Sequence, residues 1–126
     1  MKELTKAEEQ IMHILWNLKK AFVKEILKEF PEPKPAYNTI STIIRILEQK
    51  EIVTHEEFGN SHRYIPLISK EEYTKKFMKS FVSKYFSNSY KQLVSFFAKE
   101  DKLTLDELEE LRKMLDSEIK MRKEQE

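Results

Sequence analysis

Apolar side chains recur at helical spacing from the start of the chain. Ala7, Ile11, Ile14, Leu15 and Leu18 form one stripe, and Thr5-Lys6-Ala7-Glu8 has capping-box spacing ahead of it, which predicts a helix over 6–18 with Thr5 as N-cap. A second stripe, Val23, Ile26, Leu27 and Phe30, stops at Pro31-Glu32-Pro33-Lys34-Pro35. A proline lacks the amide hydrogen a helix needs and disfavours helical geometry in the residue before it. A third helix is expected from about Tyr37 to Lys50. Ile40, Ile43, Ile44 and Leu47 form its buried stripe, and Asn38, Ser41, Thr42, Arg45 and Gln49 its polar face. Ile46 sits beside the stripe and is expected to pack.

The periodicity then changes from helical to alternating. Two β-leaning runs, 52–58 and 61–67, flank Gly59-Asn60 and predict a hairpin, with Pro66 at an edge or at the strand's end. Helix, helix, helix, hairpin within about 67 residues is the plan of a winged helix-turn-helix.

Beyond Ile68 the pattern is helical again. Ser69-Lys70-Glu71-Glu72 opens a helix to about Phe86, lined every four residues by Tyr73, Phe77, Phe81 and Tyr85. Ser87-Asn88-Ser89 reads as a turn. Tyr90, Leu93, Val94 and Phe97 mark a short helix. Thr104-Leu105-Asp106-Glu107 caps a last one with Leu108, Leu111, Leu115 and Ile119 on one face, and the charged tail from Lys120 is expected to fray. These 58 residues hold eight aromatics, too wide an apolar surface for three short helices to bury alone. A two-fold dimer is the simplest closure, with Tyr73, Phe77, Phe81, Tyr85, Leu93, Phe97, Leu108, Leu111 and Leu115 at the contact. The competing arrangement folds these helices back onto the winged helix of the same chain. The expected fold class is therefore mainly α with a small hairpin wing: a winged helix-turn-helix over 1–68 and a helical dimerisation region over 69–126.

Composition narrows the functional classes. The 126 residues contain no cysteine, which excludes disulfides, thiolate metal sites and cysteine nucleophiles. No apolar run reaches the roughly 18–20 residues of a membrane span, and the first residues lack a signal-peptide core, so a cytoplasmic location is expected. His13, His55 and His62 show no metal-ligand spacing along the chain, so neither a metal nor a cofactor is expected. Nothing resembles a nucleophile elbow, a P-loop or HExxH, and the chain is not expected to be an enzyme. The net charge of +1, with ten basic and ten acidic residues before position 69, means that any positive footprint must come from charge placement.

The third helix carries the candidate chemistry. A helix fits the major groove of B-DNA, where base edges present distinct donor and acceptor patterns. Ser41, Thr42 and Arg45 share one face. Arg45 can bond a guanine edge in bidentate fashion or neutralise a phosphate. Tyr37, Asn38 and Thr39 stand at the helix N-terminus, where amides and dipole favour a phosphate. His62 and Arg63 near the hairpin tip, and Lys50, are further phosphate candidates. The plain alternative for this face is a solvated surface with Asn38 as a cap.

Leu4-Thr5-Lys6-Ala7-Glu8 with Ile11-Met12 and Leu15-Trp16, Tyr37-Asn38-Thr39-Ile40-Ser41-Thr42, Tyr64-Ile65-Pro66-Leu67, Glu71-Glu72-Tyr73, Leu93-Val94, Lys102-Leu103-Thr104 and Glu107-Leu108-Glu109-Glu110-Leu111 resemble, in order and spacing, the penicillinase repressor (BlaI/MecI/CopY) family. The resemblance implies a dimeric repressor of a palindromic DNA operator that controls β-lactam resistance or, in the CopY branch, copper handling. It also implies a membrane-bound sensor metalloprotease as partner, which triggers cleavage in the dimerisation half. The corresponding bond here is Ser95–Phe96. The CopY branch carries a cysteine metal motif that this chain lacks. Three positions depart from the family pattern: Ile46, where many relatives have arginine, found here one place earlier at Arg45; Glu51, where many have glycine; and Ser95, where cleaved members have asparagine. The competing functional class is a winged-helix module that binds protein partners and not DNA; a regulatory subunit of an enzyme complex is a third.

Overall fold

A computed structural model describes residues 3–100 and 102–126. Its elements are α1 (Lys6–Leu18), β1 (Ala21–Phe22), α2 (Val23–Glu29), α3 (Tyr37–Gln49), β2 (Val53–Phe58), β3 (Ser61–Pro66), α4 (Lys70–Phe86), α5 (Tyr90–Lys99) and α6 (Leu105–Gln125). The mainly helical chain with a small wing is the expected fold class. The compact units divide within α4, after Phe77.

In the first unit, local chemistry sets the helix ends. The Thr5 side chain accepts from the Glu8 amide while the Glu8 carboxylate accepts from the Thr5 amide, the reciprocal cap anticipated from spacing. Ile11, Met12 and Leu15 of α1, Ile26 of α2 and Ile40, Ile44 and Leu47 of α3 are all at most 1% exposed and form one core with Val53 and Tyr64. Truncating any of the large aliphatic members to alanine is expected to cost about 2–5 kcal/mol. The two-residue β1 was not anticipated. It pairs antiparallel with β3, Ala21 opposite Tyr64, and makes a three-stranded sheet of order β1-β3-β2. Two residues carry too little alternation to stand out from the adjoining helices. The hairpin turns at Gly59, whose φ of 61° is the left-handed conformation that glycine tolerates. Pro66 closes β3 opposite Val53, at the strand's end as expected.

The start of α4 also belongs to this core. Tyr73 is buried, its hydroxyl accepts from the Leu4 amide, and its ring lies 5.8 Å from Trp16. The Trp16 indole N–H donates to the Ile68 carbonyl, and Phe77 is half-buried on the same cluster. Tyr73, expected at a dimer contact, is buried in the winged-helix core instead, because its hydroxyl meets Leu4 and its ring meets Trp16, whereas the expected contact residue Phe77 keeps part of its surface exposed.

In the second unit, Ser89 caps α5 through the Gln92 amide and Thr104 caps α6 with a second reciprocal box. Ser87 and Asn88, both at positive φ, make the expected turn. Among its described residues Val82 and Leu93 are buried. α6 runs through the charged tail to Gln125.

Candidate nucleic-acid interface

α3 is held by its isoleucine and leucine stripe, so its other face is presented to solvent. Asn38, Thr39, Thr42, Arg45 and Gln49 are exposed and Ser41 is half-buried. Ala36, not Asn38, is the N-cap, and no side chain caps this end. The Ala36 carbonyl instead accepts from the Thr39 and Ile40 amides. The first amides and the positive end of the helix dipole are thus left without a side-chain acceptor. The Thr42 hydroxyl donates to the Asn38 carbonyl at 2.9 Å, which orients the side chain while its oxygen keeps acceptor capacity. Ile46 is 40% exposed rather than packed, because it lies at the edge of the buried stripe and no element covers it.

Beside this face lies a cleft of about 610 Å³, lined by Tyr37, Ser41 and Arg45 of α3, by Phe22, Val23, Lys24 and Glu25 around the start of α2, and by Phe58, Asn60, Ser61, His62 and Tyr64 of the hairpin. Tyr64 forms its floor. Burial pushes the Tyr64 hydroxyl's pKa up, the Glu48 carboxylate adds to the rise, and the Arg45 guanidinium opposes it. Arg45 therefore stands between α3 and the hairpin, with its guanidinium toward the Tyr64 hydroxyl. Lys24 was not singled out from the sequence. One lysine on a short helix has no distinguishing local pattern, and only folding brings it to the cleft.

Two expected phosphate contacts are otherwise engaged. Lys50 Nζ lies 2.8 Å from the Glu8 carboxylate, whose side chain is only 4% exposed. Arg63 donates to Glu56 at 3.0 Å and its guanidinium stands 4.7 Å from the centre of the Phe58 ring. Lys20 shares Glu56 at 3.2 Å, and the two cations, Arg63 first, draw the Glu56 carboxyl below the usual carboxylate range. Alternation along β3 sets Arg63 on the opposite face of the hairpin from His62. His62 remains exposed at the cleft, stacked on His55 with ring centroids 4.0 Å apart. The histidines lack ligand spacing along the chain, yet the hairpin brings two of them, with Glu57, into one group that could hold a metal ion.

In the second unit Leu93 is buried and Phe81 and Leu108 are half-buried. Tyr85, Phe97, Leu111 and Leu115 are 64%, 52%, 41% and 51% exposed, an apolar surface that the unit does not cover itself. Ser95 and Phe96 lie within α5, Ser95 half-buried and Phe96 exposed. Among the described residues no helix is long and apolar enough to cross a membrane.

A family model described as penicillinase repressor matches residues 4–117. The chain is similar to the penicillinase repressor of Staphylococcus aureus, 34% identical over 90% of each chain. It is also similar to the methicillin resistance regulatory protein MecI of Staphylococcus aureus strain N315, 30% identical over 90% of this chain and 93% of that one. Among solved structures, the DNA-binding domain of the repressor BlaI superposes with a TM-score of 0.49 at 25% identity, over 57% of this chain and 93% of that one.

Proposed function

Since the chain belongs to the penicillinase repressor family by its match over residues 4–117, we propose that it is a transcriptional repressor that binds a two-fold symmetric operator in duplex DNA as a homodimer. The observation that carries this reading is the division of α3: isoleucines and Leu47 inward, and a short polar face with the exposed Arg45 outward. Such a helix enters a major groove without steric hindrance from its own side chains. Ser41, Thr42 and Arg45 reach base edges, and the uncapped start at Tyr37, Asn38 and Thr39 meets a phosphate. His62 and Lys24 extend the contact from the cleft to the backbone.

One winged helix with no charge excess binds weakly. Joining two makes the second contact intramolecular and gains roughly 10²–10⁴-fold. The exposed Tyr85, Phe97, Leu111 and Leu115 of the second unit support such a joint, with Phe81, Leu93 and Leu108 beneath them. A membrane-bound sensor metalloprotease of the kind the family resemblance implies would act in the cytoplasm on Ser95–Phe96. Because that bond is inside α5, cutting it requires this helix to open locally, and the loss of α6 then loosens the dimer.

Selection of bound sequences from a random duplex library tests the reading. A two-fold symmetric motif is the expected result; binding with no preference, or none, overturns it. The equal basic and acidic counts before position 69 favour a protein-interaction module as the second reading. Affinity that falls steeply with added salt separates the two, because phosphate contacts release counterions.

A further inference from the structure

We propose that the wing carries a binding site for a divalent transition-metal ion of the zinc class, with His55 Nε2, a Glu57 carboxylate oxygen and a His62 ring nitrogen as its protein ligands. Strand register makes the site. Glu57 stands directly opposite His62, and His55 precedes Glu57 by two positions, so all three project from one face of the hairpin. Their ligand atoms lie within 4.8 Å of one another, and His55 Nε2 is 3.9 Å from the Glu57 carboxylate. Two ligands of a tetrahedral ion, each about 2.0–2.1 Å from it, stand about 3.3 Å apart. Small rotations of Glu57 and His62, both exposed, bring the group to that spacing and splay the two stacked rings.

The second observation is Glu48. Its carboxylate accepts from His55 Nδ1, across from α3 to β2. A carboxylate on one ring nitrogen with the other nitrogen turned toward further ligands is the carboxylate–histidine arrangement that orients metal-bound imidazoles. Two imidazoles and one carboxylate suit a borderline ion such as Zn²⁺, Ni²⁺ or Co²⁺, whereas Mg²⁺ and Ca²⁺ prefer all-oxygen sets. Three protein ligands leave a fourth position for water. Because His62 also lines the cleft with Arg45, a bound ion adds positive charge where the repressor reading needs it. That consequence rests on the repressor reading; the binding itself does not.

The test uses the full chain without DNA, so its failure leaves the repressor reading untouched. Calorimetric titration with Zn²⁺ is expected to give one saturable equivalent per chain, Co²⁺ a visible band of a nitrogen- and oxygen-ligated ion, and Mg²⁺ no heat. His62→Ala and Glu57→Gln are expected to abolish saturable binding with apo thermal melts unchanged. Glu48→Gln, a change at a positioning residue, is expected to weaken binding by about 10–100-fold and to leave the ligand number read from the cobalt band as it was. No saturable Zn²⁺ binding by the unaltered chain, or equal affinity in His62→Ala and Glu57→Gln, overturns the proposal.

Discussion

Lys50, at the C-cap of α3, reaches back to Glu8 at the start of α1 and neutralises a carboxylate that the core would otherwise strand. Burial works to raise the Glu8 pKa, but the Lys50 contact and the two Thr5 hydrogen bonds outweigh it and draw it below the usual carboxylate range. A lowered pKa in the folded state means that this stabilisation is present above the ordinary carboxylate pKa and is lost as pH falls through the folded value. Lys50→Ala is expected to cost about 1–3 kcal/mol, toward the lower end because the lysine is partly solvated, and to flatten the acid limb of the stability–pH curve measured by urea melts. The same variant should leave the salt slope of DNA binding unchanged; a drop of about one would return Lys50 to the phosphate contacts.

The proposed base reading rests most on Arg45. Arg45→Ala is expected to weaken binding to the selected site by about 1–3 kcal/mol and to relax preference at one base pair, measured by titration at fixed salt. Unchanged specific binding would mean that α3 does not occupy the groove in this orientation.

Glu51 follows α3 with φ of 63°, a left-handed conformation that costs a side-chain-bearing residue about 1–2 kcal/mol relative to the right-handed one. The family resemblance puts glycine here, which meets that geometry without strain. Glu51→Gly is expected to raise the thermal midpoint by a few degrees with operator affinity unchanged, since the glycine's extra freedom when unfolded offsets only part of the gain.

Leu111 and Leu115 lie one turn apart on the uncovered face of α6. Leu111→Asp with Leu115→Asp is expected to give a monomer by light scattering and to weaken operator binding by roughly 10²–10⁴-fold. The melt of the winged helix should survive, because its core draws nothing from these positions. A dimer that persists in the double variant would move the interface off α6.

Much of the architecture was written in local patterns. The 3.6-residue stripes of α1 and α3, the reciprocal caps at Thr5 and Thr104, and the alternation around Gly59-Asn60 each depend on neighbours a few residues apart, and such spacing is visible in a bare chain. The exposed polar face of α3, with Arg45 on it, follows from the same periodicity.

The fate of single charges and edge residues was not legible, because it depends on partners far away in the chain. Lys50 meets Glu8 across 42 positions and Tyr73 meets Leu4 across 69, distances over which no periodicity carries information. Strand pairing decided that Arg63 turns to Glu56 while His62 turns to His55, and it built the β1 edge from only two residues. Sequence determined which faces are apolar and where the longer helices and the hairpin lie; the tertiary structure decided which of the remaining polar groups are already satisfied and which are left to meet a partner.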